Sequence, residues 1–221
     1  LPLRTPLPAQ RLYLCGDRRI DREHGEIRKL RLGAGIDREI IDVLIRIVFE
    51  VLYAEVRIAG IDEVGRGPLA GPVVCAAVIM PLESENIIVG VDDSKKVSKK
   101  KRELLYSAIL DKAIAYSICR VEPEEIDEIN ILRATKKCMQ ACIDSLSVKP
   151  DVVLVDAVKL DVDVKTVSII KGDAKSYSIG AASIVAKVYR DKLMKEYAVK
   201  YPEYGFERNS GYGTKEHINK L

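Results

Sequence analysis

Four acidic residues stand where a sheet could gather them: Asp62 with Glu63, Asp156, and Asp173 each close an apolar run or lie just past one. Carboxylates brought to one sheet edge repel one another unless a cation offsets their charge, and hard oxygen ligands of this kind suit Mg²⁺ or Mn²⁺. Two such ions roughly 3.5–4 Å apart can activate a water and stabilise the leaving oxygen of a phosphodiester. The chemistry would then be metal-assisted hydrolysis of a nucleic acid. Spacing alone does not require it, because an acid at a strand end is commonly a turn former or a helix cap. Directly after the acid pair comes Gly65-Arg66-Gly67. Glycines let a backbone approach a ligand and present its amides, and Arg66 offers a charged fork for phosphate. A tight glycine loop with no ligand is the equal alternative.

The elements that must position these groups alternate between strand and helix from Val56 onward. Residues 57–62 (RIAGID) and 73–80 (VVCAAVIM) read as buried strands, and the Gly/Pro-rich turn 63–72 between them predicts a hairpin. Ser98 caps a predicted helix over 99–111, with Leu104, Leu105, Ala108 and Ile109 as its apolar positions. A strand follows over 115–121. Pro123 opens a helical stretch reaching about Leu146, in which Ile126, Ile129, Leu132, Met139 and Ile143 can share a buried side. Residues 152–156 (VVLVD) form a compact buried strand ending in an acid, and 166–170 repeat that form before Lys171-Gly172-Asp173. A long helix is expected over 179–197. The whole reads as an α/β fold with βαβ-like units and a mixed central sheet flanked by helices.

Composition narrows the class. The 221 residues are 48% hydrophobic and 31% charged, the balance of a globular protein rather than a disordered one. With 36 basic and 33 acidic side chains the net charge is only +3, so affinity for nucleic acid must come from how charge is distributed. Five scattered cysteines and no signal-peptide pattern point to a reduced, cytoplasmic setting. Cys138 and Cys142, four apart on a predicted helix with no histidine or second pair nearby, read as buried small hydrophobes rather than zinc ligands.

Residues 1–54 differ from 55–221. The first segment holds nine Arg and one Lys, the second seven Arg and nineteen Lys, and the first methionine is Met80. The opening segment is therefore expected to be an atypical Arg-rich extension, whether a fusion, a processed piece or sequence translated upstream of the true start, with the functional domain over 55–221. Residues 40–56 predict an amphipathic helix with Asp42, Arg46 and Glu50 on one polar stripe, too short and too charged to span a membrane.

The run GIDEVGRGPLAGPVV, from Gly60 to Val74, closely resembles the signature of bacterial-type ribonuclease HII. The likeness continues through DSKKVSKKKRE, INILRATKK, KPDVVLVDA, KGDAKSYSIGAASIVAKVYRD and GYGTKEH, covering almost all of 56–221. It implies a ribonuclease H-like fold in a monomeric endonuclease. Such an enzyme cuts RNA–DNA hybrids and nicks duplex DNA on the 5′ side of embedded ribonucleotides, leaving 3′-hydroxyl and 5′-phosphate ends. It further implies that Asp62, Glu63, Asp156 and Asp173 are catalytic ligands of two Mn²⁺ or Mg²⁺ ions, Asp62 bridging them. By the same likeness Gly65, Arg66 and Gly67 recognise the 2′-hydroxyl, and Tyr212 packs on the sugar at the RNA-to-DNA junction.

Further positions carry two readings each. Lys95, Lys96, Lys171 and Lys175 either neutralise phosphates or form a solvated lysine face. Ser176 either contacts phosphate or caps the following helix. His217 is expected to be structural, and Arg190 with Asp191 to form an ion pair on a helix. Three departures from the family pattern stand out: Ala157 where glycine is usual, Ser210 where lysine is common, and an end at Leu221 where relatives continue through a basic segment and a helical region. The last predicts a C-terminally truncated chain with an impaired grip on substrate. Two rivals remain: the sister family ribonuclease HIII, which typically has lysine at the position of Arg66, and a hybrid-binding module without activity.

Overall fold

A computed structural model describes residues 56–221; the Arg-rich segment 1–54 and nearly all of the amphipathic stretch 40–56 lie outside the described residues. Five strands build one sheet: β1 (Ile58–Val64), β2 (Val73–Ile79), β3 (Ala115–Val121), β4 (Val152–Asp156) and β5 (Lys165–Ile169). Their spatial order is β3-β2-β1-β4-β5. The first three are antiparallel neighbours, whereas β1–β4 and β4–β5 are parallel. The expected mixed α/β sheet is the one observed.

Strand β2 is buried along its whole length, so both faces of the sheet must be covered. Val73, Cys75, Ala77 and Ile79 pack in one core with Ala134, Cys138 and Met139 of helix α3 (Ile131–Asp144). Ala76 and Val78 face the other core, beside Leu105 and Ile109 of α1 (Lys99–Lys112) and Ala181, Ile184 and Val185 of α5 (Tyr177–Lys200). The alternation is the two-residue period of a strand sorting its side chains between two helical layers. Cys138 and Cys142 lie inside the first core, their Sγ atoms directed at the carbonyls of Val73 and Cys75. Among the described residues, no helix is long and apolar enough to cross a membrane.

Gly60 lets α5 reach the sheet. A Cβ there would lie 2.1 Å from the carbonyl carbon of Ser178 and 2.3 Å from the amide nitrogen of Ile179. Backbone therefore rests on backbone where α5 begins, and no side chain fits between.

The hairpin, the Ser98 cap and the strand over 115–121 occur as expected, and the long C-terminal helix spans more than expected, 24 residues. Four details differ. The stretch from Pro123 is two helices, α2 (Pro123–Ile129) and α3, broken at Asn130. Asn130 has φ 70°, and its side chain accepts from the amides of Leu132 and Arg133, so it ends one helix and caps the next. Leu104 and Leu132 are exposed, at 67% and 47%, because each lies on the outer face of its helix. The strand expected over 166–170 is β5, a half-exposed edge strand rather than a buried one, with Ile170 outside it. Finally, β4 and β5 are joined by 157–164 without a helix; Val158 and Leu160 fill the core there instead.

Candidate active site

The parallel register pairs Ile61 with Val155, so the next rung outward carries Asp62 on β1 and Asp156 on β4. Asp173 sits in the short helix α4 (Gly172–Lys175) that follows β5. The amide of Gly172 donates to Asp156 Oδ1 at 2.9 Å, tying this turn to the end of β4. Asp62, Glu63, Asp156 and Asp173 consequently line one cleft, shared with Ser94, Lys95, Ser183, Lys187 and Tyr212.

The charges in this cleft are held at a cost. Burial pushes the Asp62 carboxyl up to about 8, and the neighbouring charges of Glu63 and Asp156 add to the rise. Hydrogen bonds from Ser183 and from the Glu63 amide, at 2.8 Å, oppose it. Glu63 is also raised by burial, against the pull of Arg66, whose Nη1 donates to Glu63 Oε1 at 3.1 Å. Burial raises Asp173 as well, with Asp93 and Asp156 adding repulsion and Lys95 offsetting part of it. Three acids held above their ordinary range beside one another are a site short of positive charge.

This donor set fits divalent cations. The four acids offer hard carboxylate oxygens, and Glu63 Oε2 is buried without a hydrogen-bond partner. In the present arrangement the acids are turned to protein donors: Asp156 to Gly172, Asp173 Oδ1 to the Ala174 amide at 2.9 Å, and Glu63 to Arg66. Among the described residues no three of His, Cys, Asp and Glu converge closely enough to hold an ion as they stand. Bound cations would have to draw the carboxylates inward from these partners.

The glycine loop lies beside the acids. Gly65 adopts φ 108°, and a Cβ there would come within 2.5 Å of the Pro72 carbonyl oxygen. A Cβ on Gly67 would lie 3.5 Å from Tyr212 Cε1, so the loop and the half-exposed Tyr212 ring face each other at the cleft. Tyr212 is anchored through its backbone: its carbonyl lies 2.9 Å from His217 Nδ1, and its amide donates to the Asn209 carbonyl at 2.9 Å. His217 is fully buried against Tyr204 and Phe206, which suits the structural role expected for it.

Other expected residues are placed differently. Lys95 lines the cleft, but Lys96 pairs with Asp92 at the surface, 3.9 Å away. Lys171 and Lys175 are exposed at the two ends of α4, flanking Asp173 without themselves lining the cleft. Ser176 is buried and caps α5, its hydroxyl accepting from the Ile179 amide at 3.4 Å. Ser94, Ser183 and Lys187 are cleft residues that the sequence did not flag. Arg190 requires a correction. Asp191 pairs with Lys187 at 2.7 Å and approaches Arg102 at 3.9 Å, while Arg190 is fully buried and turned the other way. Adjacent residues on a helix point about 100° apart, so they rarely meet.

A mixed sheet of this order, with acids at one edge and helices on both faces, defines a ribonuclease H-like α/β fold. The crystal structure of ribonuclease H2 from Pyrococcus horikoshii superposes with a TM-score of 0.64 at 32% identity, covering 74% of this chain and 84% of that one. Ribonuclease HII of Archaeoglobus fulgidus, from its complex with PCNA, gives 0.63 at 31% identity, covering 74% and 85%. Residues 59–221 match the family described as Ribonuclease HII, and the chain belongs to that family. Ribonuclease HII of Bacillus cytotoxicus is 57% identical over 164 residues, 74% of this chain. The chain spans 62–64% of the length of the curated relatives it matches.

Proposed function

We propose that residues 55–221 form a metal-dependent endonuclease that hydrolyses the RNA strand of RNA–DNA hybrids and nicks duplex DNA 5′ of embedded ribonucleotides. The observation that carries this reading is one cleft holding Asp62, Glu63, Asp156, Asp173 and Tyr212, with Gly67 of the glycine loop against the Tyr212 ring. The acids would hold two Mg²⁺ or Mn²⁺ ions. When bound, such ions activate water and stabilise the leaving oxygen.

The chain's own residues supply the rest. Glu63 and Asp156 surround the buried Asp62, while Ser183 and the Glu63 amide favour its ionised form. Arg66 steadies Glu63 and presents its remaining guanidinium donors outward to phosphate. A sugar lodged between the glycine loop and Tyr212 would place its 2′-hydroxyl against backbone amides, which a deoxyribose cannot use. Lys95 adds positive charge at the cleft for the phosphate backbone, while Lys187 beside it is paired with Asp191. Membership of the HII family favours this specificity over that of ribonuclease HIII.

The deciding experiment is a nicking assay on duplex DNA with one ribonucleotide, alongside a long RNA–DNA hybrid, with Mg²⁺ and with Mn²⁺. Cleavage 5′ of the single ribonucleotide, lost in Asp62→Asn, is the expected result. Hybrid binding without cleavage under either metal would replace the nuclease by a binding module.

A further inference from the structure

Arg190 occupies the middle of α5, where full burial would ordinarily select an apolar side chain. Each of its three nitrogens donates to a different backbone carbonyl. Nε reaches Pro72 at 3.1 Å, Nη2 reaches Ala70 at 3.0 Å, and Nη1 reaches Ser210 at 2.9 Å. The first two carbonyls end the glycine loop, and the third stands two residues before Tyr212. The same joint is closed by backbone, the amides of Leu69 and Ala70 donating to the Gly211 carbonyl at 2.8 and 3.2 Å.

A buried cation facing carbonyls, with Asp191 already engaged elsewhere, is a costly way to fill a core. Its planar fork does something no apolar residue can do: it fixes two chain segments, 120 positions and 20 positions away in sequence, at one separation. Those segments carry Gly65–Gly67 and Tyr212, the two walls of the proposed sugar site. We propose that Arg190 is a positioning residue that sets ribonucleotide discrimination by stapling the glycine loop to the Tyr212 segment. The proposal deepens the nuclease reading and rests on it for its substrate.

The test is a double-mutant cycle in the full chain. Lysine offers a single point charge that cannot span three carbonyls, so Arg190→Lys should lower kcat/KM at a single embedded ribonucleotide by about tenfold, and by much less on a long hybrid. In a Tyr212→Ala background the same substitution should change it by less than about twofold, because the wall it positions is gone. Equal losses in both backgrounds, or on both substrates, would overturn the proposal in favour of a general stability role. Gly211→Ala attacks the joint with Arg190 intact, since Gly211 has φ 85° and its Cβ would lie 2.3 Å from the Ala70 oxygen. It should reproduce the selective loss, and unaltered selectivity would count against the staple.

A readout independent of activity separates this idea from the functional one. The chain contains no tryptophan, so Tyr212→Trp installs a single emitter at the joint. Adding Arg190→Lys should increase acrylamide quenching and lower the anisotropy of that emitter; unchanged values would overturn the staple. A chain that never nicks embedded ribonucleotides would sink the nuclease reading, while the quenching result would still decide whether Arg190 holds the joint.

Discussion

The hydroxyls of Ser94 and Ser183 share a hydrogen bond of 2.9 Å in the wall of the acidic cleft, and Ser183 also steadies the buried carboxylate of Asp62. The pair is almost fully buried, so water cannot replace either group when it is lost. Removing the Ser183 hydroxyl takes away a contact that favours ionised Asp62, and the carboxyl should climb further. One hydrogen bond of roughly 0.5–1.5 kcal/mol corresponds to a shift of up to about one pH unit. Ser183→Ala should therefore move the acidic limb of the pH–rate profile upward by that amount at subsaturating Mg²⁺. A profile unmoved along the pH axis would show that Ser183 does not govern Asp62.

Asp62 itself opposes folding at neutral pH. Its carboxyl rises from 3.8 to about 8 on folding, so between those values the folded chain holds a proton that the unfolded chain releases. Stability is then fully present below about pH 4 and declines as pH rises through 8. In EDTA, Asp62→Asn should be more stable than the parent at pH 8, on the order of a few kcal/mol, and equal to it near pH 4. Thermal melts across that range check the sign, and a constant difference would refute it. Divalent cations should raise the melting temperature of the parent and leave the Asn variant nearly unaffected.

Ala157 directly follows Asp156 with φ 50°, a left-handed conformation that disfavours a Cβ. The departure from glycine noted in the sequence is thus a source of backbone strain at the end of β4. Ala157→Gly should stabilise by about 1 kcal/mol, which for a domain of this size is roughly 2–4 °C in Tm. Calorimetry would show the gain. An unchanged or lower Tm would mean that the turn has relaxed around alanine.

Asn130 offers a control away from the cleft. Its side chain satisfies two amides at the start of α3, each at 3.1 Å, while its backbone sits at positive φ. Asn130→Ala should cost about 1–2 kcal/mol in urea denaturation, and Asn130→Gly distinctly less, because glycine tolerates the conformation. Nicking per folded molecule should be the same for both variants. A smaller loss for alanine than for glycine would mean that backbone conformation is not limiting there.

The contrast between elements that were legible in the sequence and those that were not is physical. Strands β1, β2 and β4 announce themselves as apolar runs broken by Gly, Pro or charge, because the centre of a sheet covered on both faces demands continuous apolarity. The break at Asn130 was hidden, since 123–146 keeps a helical pattern across it and one left-handed residue leaves no compositional trace. Spacing alone could not gather the four acids. The register of β1 against β4 and the tie from Gly172 to Asp156 do that. Ser94, Ser183 and Lys187 have no motif, because a hydroxyl or a lysine acquires meaning only from what it touches. Arg190 beside Asp191 looked like an ion pair, and its true partners are carbonyls, which carry no side-chain signature at all.

The parallel pairing of β1 with β4 bears on how the protein is made. Strand β1 is complete at Val64, yet its parallel neighbour begins only at Val152, and the last acid follows at Asp173. A chain emerging from the ribosome can form the β1–β2–β3 meander early, but it has no assembled acidic cleft until these distant pieces arrive. The helix bearing Arg190 comes later still. Under the proposed function, the nascent polypeptide therefore cannot gather its four acids until Asp173 has been synthesised and β4 has paired with β1.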